Sequence, residues 1–119
     1  MSSASGVSSY PFLFAPTVLT TSAATLYTVP ATPVTTILKN AVLYFSNTTG
    51  AAQTITVYYV PSGGTAGVGN AITVTLTINP AAAPTALPVS DLLAGSTIQA
   101  LASANTSITV FAKGGALFV

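Results

Sequence analysis

Only three side chains in this 119-residue chain carry a charge at neutral pH: Lys39, Lys113 and Asp91. The chain has no histidine and no cysteine. General acid–base catalysis draws on histidine, carboxylates or a lysine of shifted pKa. Asp91 has no second carboxylate to pair with, which removes the two-carboxylate route to glycoside hydrolysis. A serine nucleophile would depend on Lys39 or Lys113 as its base. One aspartate with backbone carbonyls makes at most a weak Ca²⁺ site. These residues predict a protein that is not an enzyme, with no catalytic residue, cofactor or metal.

Other patterns have simpler readings than chemistry. Gly63-Gly64-Thr65-Ala66-Gly67-Val68-Gly69 lacks the lysine of a phosphate-binding loop and leads into a strand, so it reads as a flexible hairpin loop. Asn47-Thr48-Thr49 and Asn105-Thr106-Ser107 match the N-glycosylation pattern but read as asparagines at turns. Asp91 reads as a turn cap after Ser90. Lys39 and Lys113 fall in or beside β-prone segments, where edge protection or snorkelling accounts for a lone lysine. Pairing of one of them with Asp91 is the functional alternative.

Composition sets the class. Half of the residues are hydrophobic and 3% are charged, against about 25% charged in an ordinary domain. High hydrophobicity with low charge excludes disorder. A net charge of +1 gives no field to hold a polyanion or an anionic bilayer, so neither nucleic acid nor membrane is an expected partner. The first ten residues, MSSASGVSSY, have no basic or apolar region of a secretory signal, which predicts synthesis in a cytoplasm. A surface so poor in charge favours association, so neighbours are expected to cover it.

The elements that carry these residues are strands. Twenty threonines, many valines and isoleucines and eight prolines all work against helix. Ala71–Ile78 alternates without a break, with Ile72, Val74, Leu76 and Ile78 on one face and threonines on the other. Residues 54–60 alternate similarly, with Ile55, Val57 and Tyr59 opposite Thr54, Thr56 and Tyr58. Residues 106–112 place Ile108, Val110 and Ala112 on one face. Residues 34–45 are apolar on both faces around Val42-Leu43-Tyr44-Phe45, as in a central strand. Shorter candidates are 24–29, 96–101 and 116–119. Turns are expected at 46–50, 61–70 and 90–95, and the prolines of 80–88 exclude a central strand there. The expected fold is all-β: a β-sandwich or jelly roll of about seven to eight short antiparallel strands, with an extended N-terminal arm.

Residues 1–21 form the arm or an edge segment, and 22–119 the sandwich domain. Pro11-Phe12-Leu13-Phe14-Ala15-Pro16 is an apolar patch between prolines. Tyr10, Phe12, Leu13 and Phe14 are therefore the candidate partner contacts, docking on a neighbour.

The order of segments resembles small structural proteins of tailed bacteriophages. The residues that carry the resemblance are Leu26-Tyr27-Thr28-Val29-Pro30, Asn47-Thr48-Thr49, Thr54-Ile55-Thr56-Val57-Tyr58-Tyr59-Val60-Pro61, Ser62-Gly63-Gly64, Asn70 and Leu93-Ala94-Gly95-Ser96-Thr97-Ile98-Gln99-Ala100. Together they span roughly residues 24–112. The usual pattern has an aspartate where Ser96 stands. The resemblance implies a capsid decoration or cement protein on the virion surface. Its partners would be a major capsid protein or another virion protein, and further copies of itself, as a homo-oligomer such as a trimer. The alternatives are a tail-fibre or spike module that binds a host glycan, and a pilus-like subunit. With tyrosines but no tryptophan available for a sugar, the structural role is favoured.

Overall fold

The structure is a computed structural model and describes residues 9–11, 14–32, 34–80, 83–89, 91–113 and 115–118. Its strands are β1 (Ser9–Pro11), β2 (Phe14–Val18), β3 (Ala24–Thr28), β4 (Ile37–Lys39), β5 (Ala41–Asn47) and β6 (Gln53–Val60). They continue with β7 (Ala71–Ile78), β8 (Thr85–Val89), β9 (Leu92–Leu93), β10 (Thr97–Ala102), β11 (Ile108–Lys113) and β12 (Ala116–Phe118). One 3₁₀ turn, Val68–Asn70, precedes β7.

The antiparallel pairs are nested. β2 pairs with β11, β3 with β10, β5 with β8, and β6 with β7. The outermost strands in the chain thus meet each other, and the innermost do likewise, which is the winding of a jelly roll. Two sheets result, ordered β2-β11-β5-β8 and β3-β10-β6-β7. Their inner faces supply one core, in which Leu43, Phe45, Ile108 and Val110 from the first meet Ile55, Val57, Ile98 and Ala100 from the second. All eight are fully buried. Proline stands in both edge strands of the first sheet, Pro16 in β2 and Pro88 in β8. There a missing N–H breaks no ladder.

A third set of pairs, β1-β12-β4-β9, repeats the strand order of the first sheet. It is the same sheet carried past a crease. Asn40 separates β4 from β5 at φ 59°, Asp91 lies between β8 and β9 at φ 60°, and Gly115 between β11 and β12 at φ 25°. The Gly115 N–H donates to the Asn40 carbonyl at 3.3 Å, tying two of the three breaks together. Each break inserts a residue that shifts the alternation. Leu38 and Ala41 both face the core although an odd interval separates them, as do Leu92 and Val89. Strict period-two alternation would turn one of each pair outward.

One expectation is corrected here. The alternation of β7 does not hold: Ile72 and Val74 are exposed, Leu76 is half-buried, and only Ile78 is fully buried. The register to β6 shifts twice, and Thr75 sits at φ 49° with its N–H donating to the Thr56 hydroxyl at 3.2 Å. These bulges re-aim the side chains that precede them. From Ser9 onward the segment expected as an arm or an edge strand pairs within the sheet, β1 with β12 and β2 with β11. Leu19 is buried in the core, and its N–H donates to the Ile108 carbonyl at 2.9 Å.

Candidate assembly surface

The chemistry-bearing residues separate into a charged pair and a set of turn locks. Lys39 Nζ lies 3.7 Å from Asp91 Oδ1, with both side chains largely in solvent. Asp91 therefore pairs with the lysine of the neighbouring strand, and Lys39 is a paired lysine on an inner strand. Lys113 stands in β11 across from Val42.

Both sequon asparagines are committed to the backbone. Asn47 Oδ1 accepts from the Thr49 N–H at 2.8 Å and its hydroxyl at 2.7 Å, while Nδ2 donates to the carbonyls of Ala51 and Ile78. Asn105 Oδ1 accepts from the Thr21 N–H at 2.9 Å. The glycine-rich loop has a similar lock, since Asn70 accepts from the Gly67 N–H and donates to the Thr65 carbonyl. These two bonds close the 65–70 half of the loop on itself.

Tyr59 packs against the core, and its hydroxyl accepts from the Leu93 N–H at 3.4 Å. Tyr58 points to the opposite face and is half-buried. Burial pushes the Tyr27 phenol above its ordinary value of 10.0.

The outer face of the β2-β11-β5-β8 sheet differs from an ordinary solvated face. Antiparallel sheets of a sandwich usually alternate apolar inside and polar outside. In β5 the core residues Ala41, Leu43 and Phe45 alternate with Val42, Tyr44 and Ser46, all half-buried. Phe111 lies directly across from Tyr44, and Ala86 faces Tyr44 from the other side. The two rings stack with centroids 5.2 Å apart and planes 13° from parallel. One row further, Val42 faces Pro88. On the other flank Val18, 51% exposed, stands across from Thr109. An aromatic pair framed by valine, alanine and proline thus occupies the middle of a face where polar residues are the norm.

Of the residues expected to make contacts, Tyr10 lies in β1 across from Leu117 and Phe14 in β2 across from Ala112. Phe12 and Leu13 fall outside the described residues. Tyr44 and Phe111 are not among the expected contacts. The sequence does carry a signal for them: Val42–Phe45 is apolar on both faces, and Phe111 falls on the face of its strand opposite Ile108 and Val110.

No protein-family model and no curated protein matches the chain. Solved structures do share the fold. A chain of the Bacillus endospore appendages, a family of disulfide-linked pili, aligns at a TM-score of 0.56 with 15% identity, over 94% of this chain and 86% of that one. The infectious bursal disease virus VP2 subviral particle aligns at 0.51 with 12% identity, over 95% of this chain and 32% of that one. The chain thus spans about a third of the VP2 protein. Both likenesses support the all-β sandwich. Among the described residues no helix is long and apolar enough to cross a membrane.

Proposed function

We propose that this chain is a non-enzymatic structural subunit of a virion, a decoration or cement protein that seats the outer face of the β2-β11-β5-β8 sheet on a capsid shell. The observation that carries the reading is the stacked Tyr44–Phe111 pair at the centre of an outward sheet face, on a domain with almost no charge. Burying such a face contributes roughly 25 cal/mol for each Å² of apolar surface removed from water. A bound subunit that bridges shell proteins stabilises the shell by mass action. The fold likeness to a viral particle protein and to a pilus chain supports a role in an assembly. The disulfide linkage of that pilus family has no counterpart here, since the chain has no cysteine.

The test has two arms. Electron microscopy of the particle that carries this protein should show its density on the shell lattice. Density confined to a tail or to a separate filament overturns the reading. Binding of purified protein to undecorated shells should fall at least tenfold on Tyr44→Ser or Phe111→Ser. Unchanged binding by both variants removes this face from the contact.

A further inference from the structure

Past the crease, the outer face of the β1-β12-β4-β9 flap carries a second apolar row. Leu93 lies across from Ile37, and Ile37 across from Phe118. Their neighbours Leu92, Leu38 and Leu117 turn toward the core, so this row points away from it. Leu93 is 58% exposed, and Ile37 and Phe118 are half-buried. Two of the chain's three charges flank the row: Lys39 lies two residues along β4 from Ile37, and Asp91 two residues before Leu93. They form an ion pair with each other at 3.7 Å, and with side-chain exposures of 49% and 69% each keeps open surface toward a second copy.

We infer that this flap is a two-fold contact whose occupant is a second copy of the chain. A two-fold interface must be self-complementary, each group meeting the other's counterpart. An axis running along the strands between β4 and β9 satisfies this in both chemistries. It lays Leu93 over Ile37 of the second copy and Ile37 over Leu93 of the second copy. It also brings Lys39 of each copy to Asp91 of the other. A charged partner of one sign would meet one favourable and one unfavourable group here, whereas a second copy meets two favourable ones.

The flap is small. Four strands about 4.8 Å apart and at most three residues long cover roughly 10 Å by 15–20 Å, well below the roughly 800 Å² per partner of a standard interface. The pair is therefore weak in free solution and strengthens where a surface holds copies close together. Only that strengthening rests on the proposed place in a virion. The pairing itself does not.

Complementary charge variants test it. Lys39→Glu and Asp91→Lys should each self-associate at least tenfold more weakly than the wild type in sedimentation at high protein concentration. An equimolar mixture of the two should recover association. In the mixed pair the introduced glutamate of one variant meets the introduced lysine of the other, and the unchanged Asp91 meets the unchanged Lys39. Circular dichroism establishes that both variants are folded. A mixture no tighter than either variant alone overturns the pairing. Cysteines provide a second readout in this cysteine-free chain. Ile37→Cys mixed with Leu93→Cys should give a disulfide-linked heterodimer faster than either gives with Val68→Cys, a substitution on the exposed loop before β7. Equal rates overturn the geometry. If the charge variants instead lose shell binding and keep wild-type self-association, the flap belongs to a shell protein and the inference falls. If they keep shell binding while the mixture fails, the pairing falls and the virion reading stands.

Discussion

Phe111 on β11 and Tyr44 on β5 stand directly opposite each other, with rings stacked at 5.2 Å on the side of the sheet turned away from the core. Such a pair contributes about 0.5–1.5 kcal/mol beyond its area burial. That is a small part of the roughly 5–15 kcal/mol of an ordinary domain. Tyr44→Ala and Phe111→Ala should therefore leave the domain folded, with a coupling of that size in a double-mutant cycle by denaturant unfolding. A coupling near zero would mean that the stack is incidental to stability.

The same face contains hardly any charge, so binding through it should change little between low and high salt. A steep loss of shell binding in moderate NaCl would contradict this and point to Lys39 or Lys113 as an anchor.

Gly115 holds the crease closed. A Cβ there would lie 2.6 Å from Ala41 Cα at the start of β5 and 2.8 Å from the Lys39 carbonyl oxygen at the end of β4, both backbone atoms. Its φ of +25° also disfavours an L side chain. The conformational cost of about 1–2 kcal/mol adds to an overpacking cost of about 1–3. Gly115→Ala should lower stability by about 2–5 kcal/mol in urea. Gly50→Ala, where a Cβ meets nothing within 4 Å, is the control and should be close to neutral. Similar values for the two would show that the crease tolerates a side chain.

At Asp91, charge and backbone conformation can be separated. Its ion pair with Lys39 is well exposed, and pairs of that kind contribute about 0–1 kcal/mol. Its φ of 60° is a left-handed conformation that asparagine also adopts readily but alanine does not. Asp91→Asn should cost under about 1 kcal/mol and Asp91→Ala about 1–2. The reverse order in thermal unfolding would mean that the charge matters more than the turn.

Much of this molecule is legible from residue type and period. Strands 54–60, 96–101 and 106–112 follow from alternation, and the prolines of 80–88 mark β8 as an edge. The crease is not legible. Asn40 and Asp91 each add one residue to a strand, and nothing in a single strand's pattern shows that its neighbours add one at the same level. The 34–45 stretch consequently reads as one strand apolar on both faces, where the chain makes two strands of shifted phase. β7 fails for the related reason that its bulges are set by register against β6. The Tyr44–Phe111 face is partly legible, because the apolar run through Tyr44 already exceeds what one core face needs. The Phe12–Phe14 patch is the more conspicuous signal because it is a local cluster, while Tyr44 and Phe111 are far apart in sequence and meet only through pairing.

The alkaline limit of the fold should carry a contribution from Tyr27. Burial raises this phenol above its ordinary value of 10.0 and so favours its neutral form. Below pH 10 the phenol is protonated in folded and unfolded chains alike, and its contribution is constant. Above pH 10 the unfolded chain loses the proton while the folded one keeps it. The native state then binds more protons, so stability falls as pH rises, until the folded pKa is also passed. One group contributes at most about 1.4 kcal/mol per pH unit to this slope. Denaturant unfolding at pH 8, 10 and 11 should show little change over the first interval and a decline over the second. Tyr27→Phe, which cannot ionise, should decline less steeply between pH 10 and 11. An identical slope in the variant would mean that the loss arises elsewhere and that the burial of Tyr27 has no bearing on alkaline unfolding.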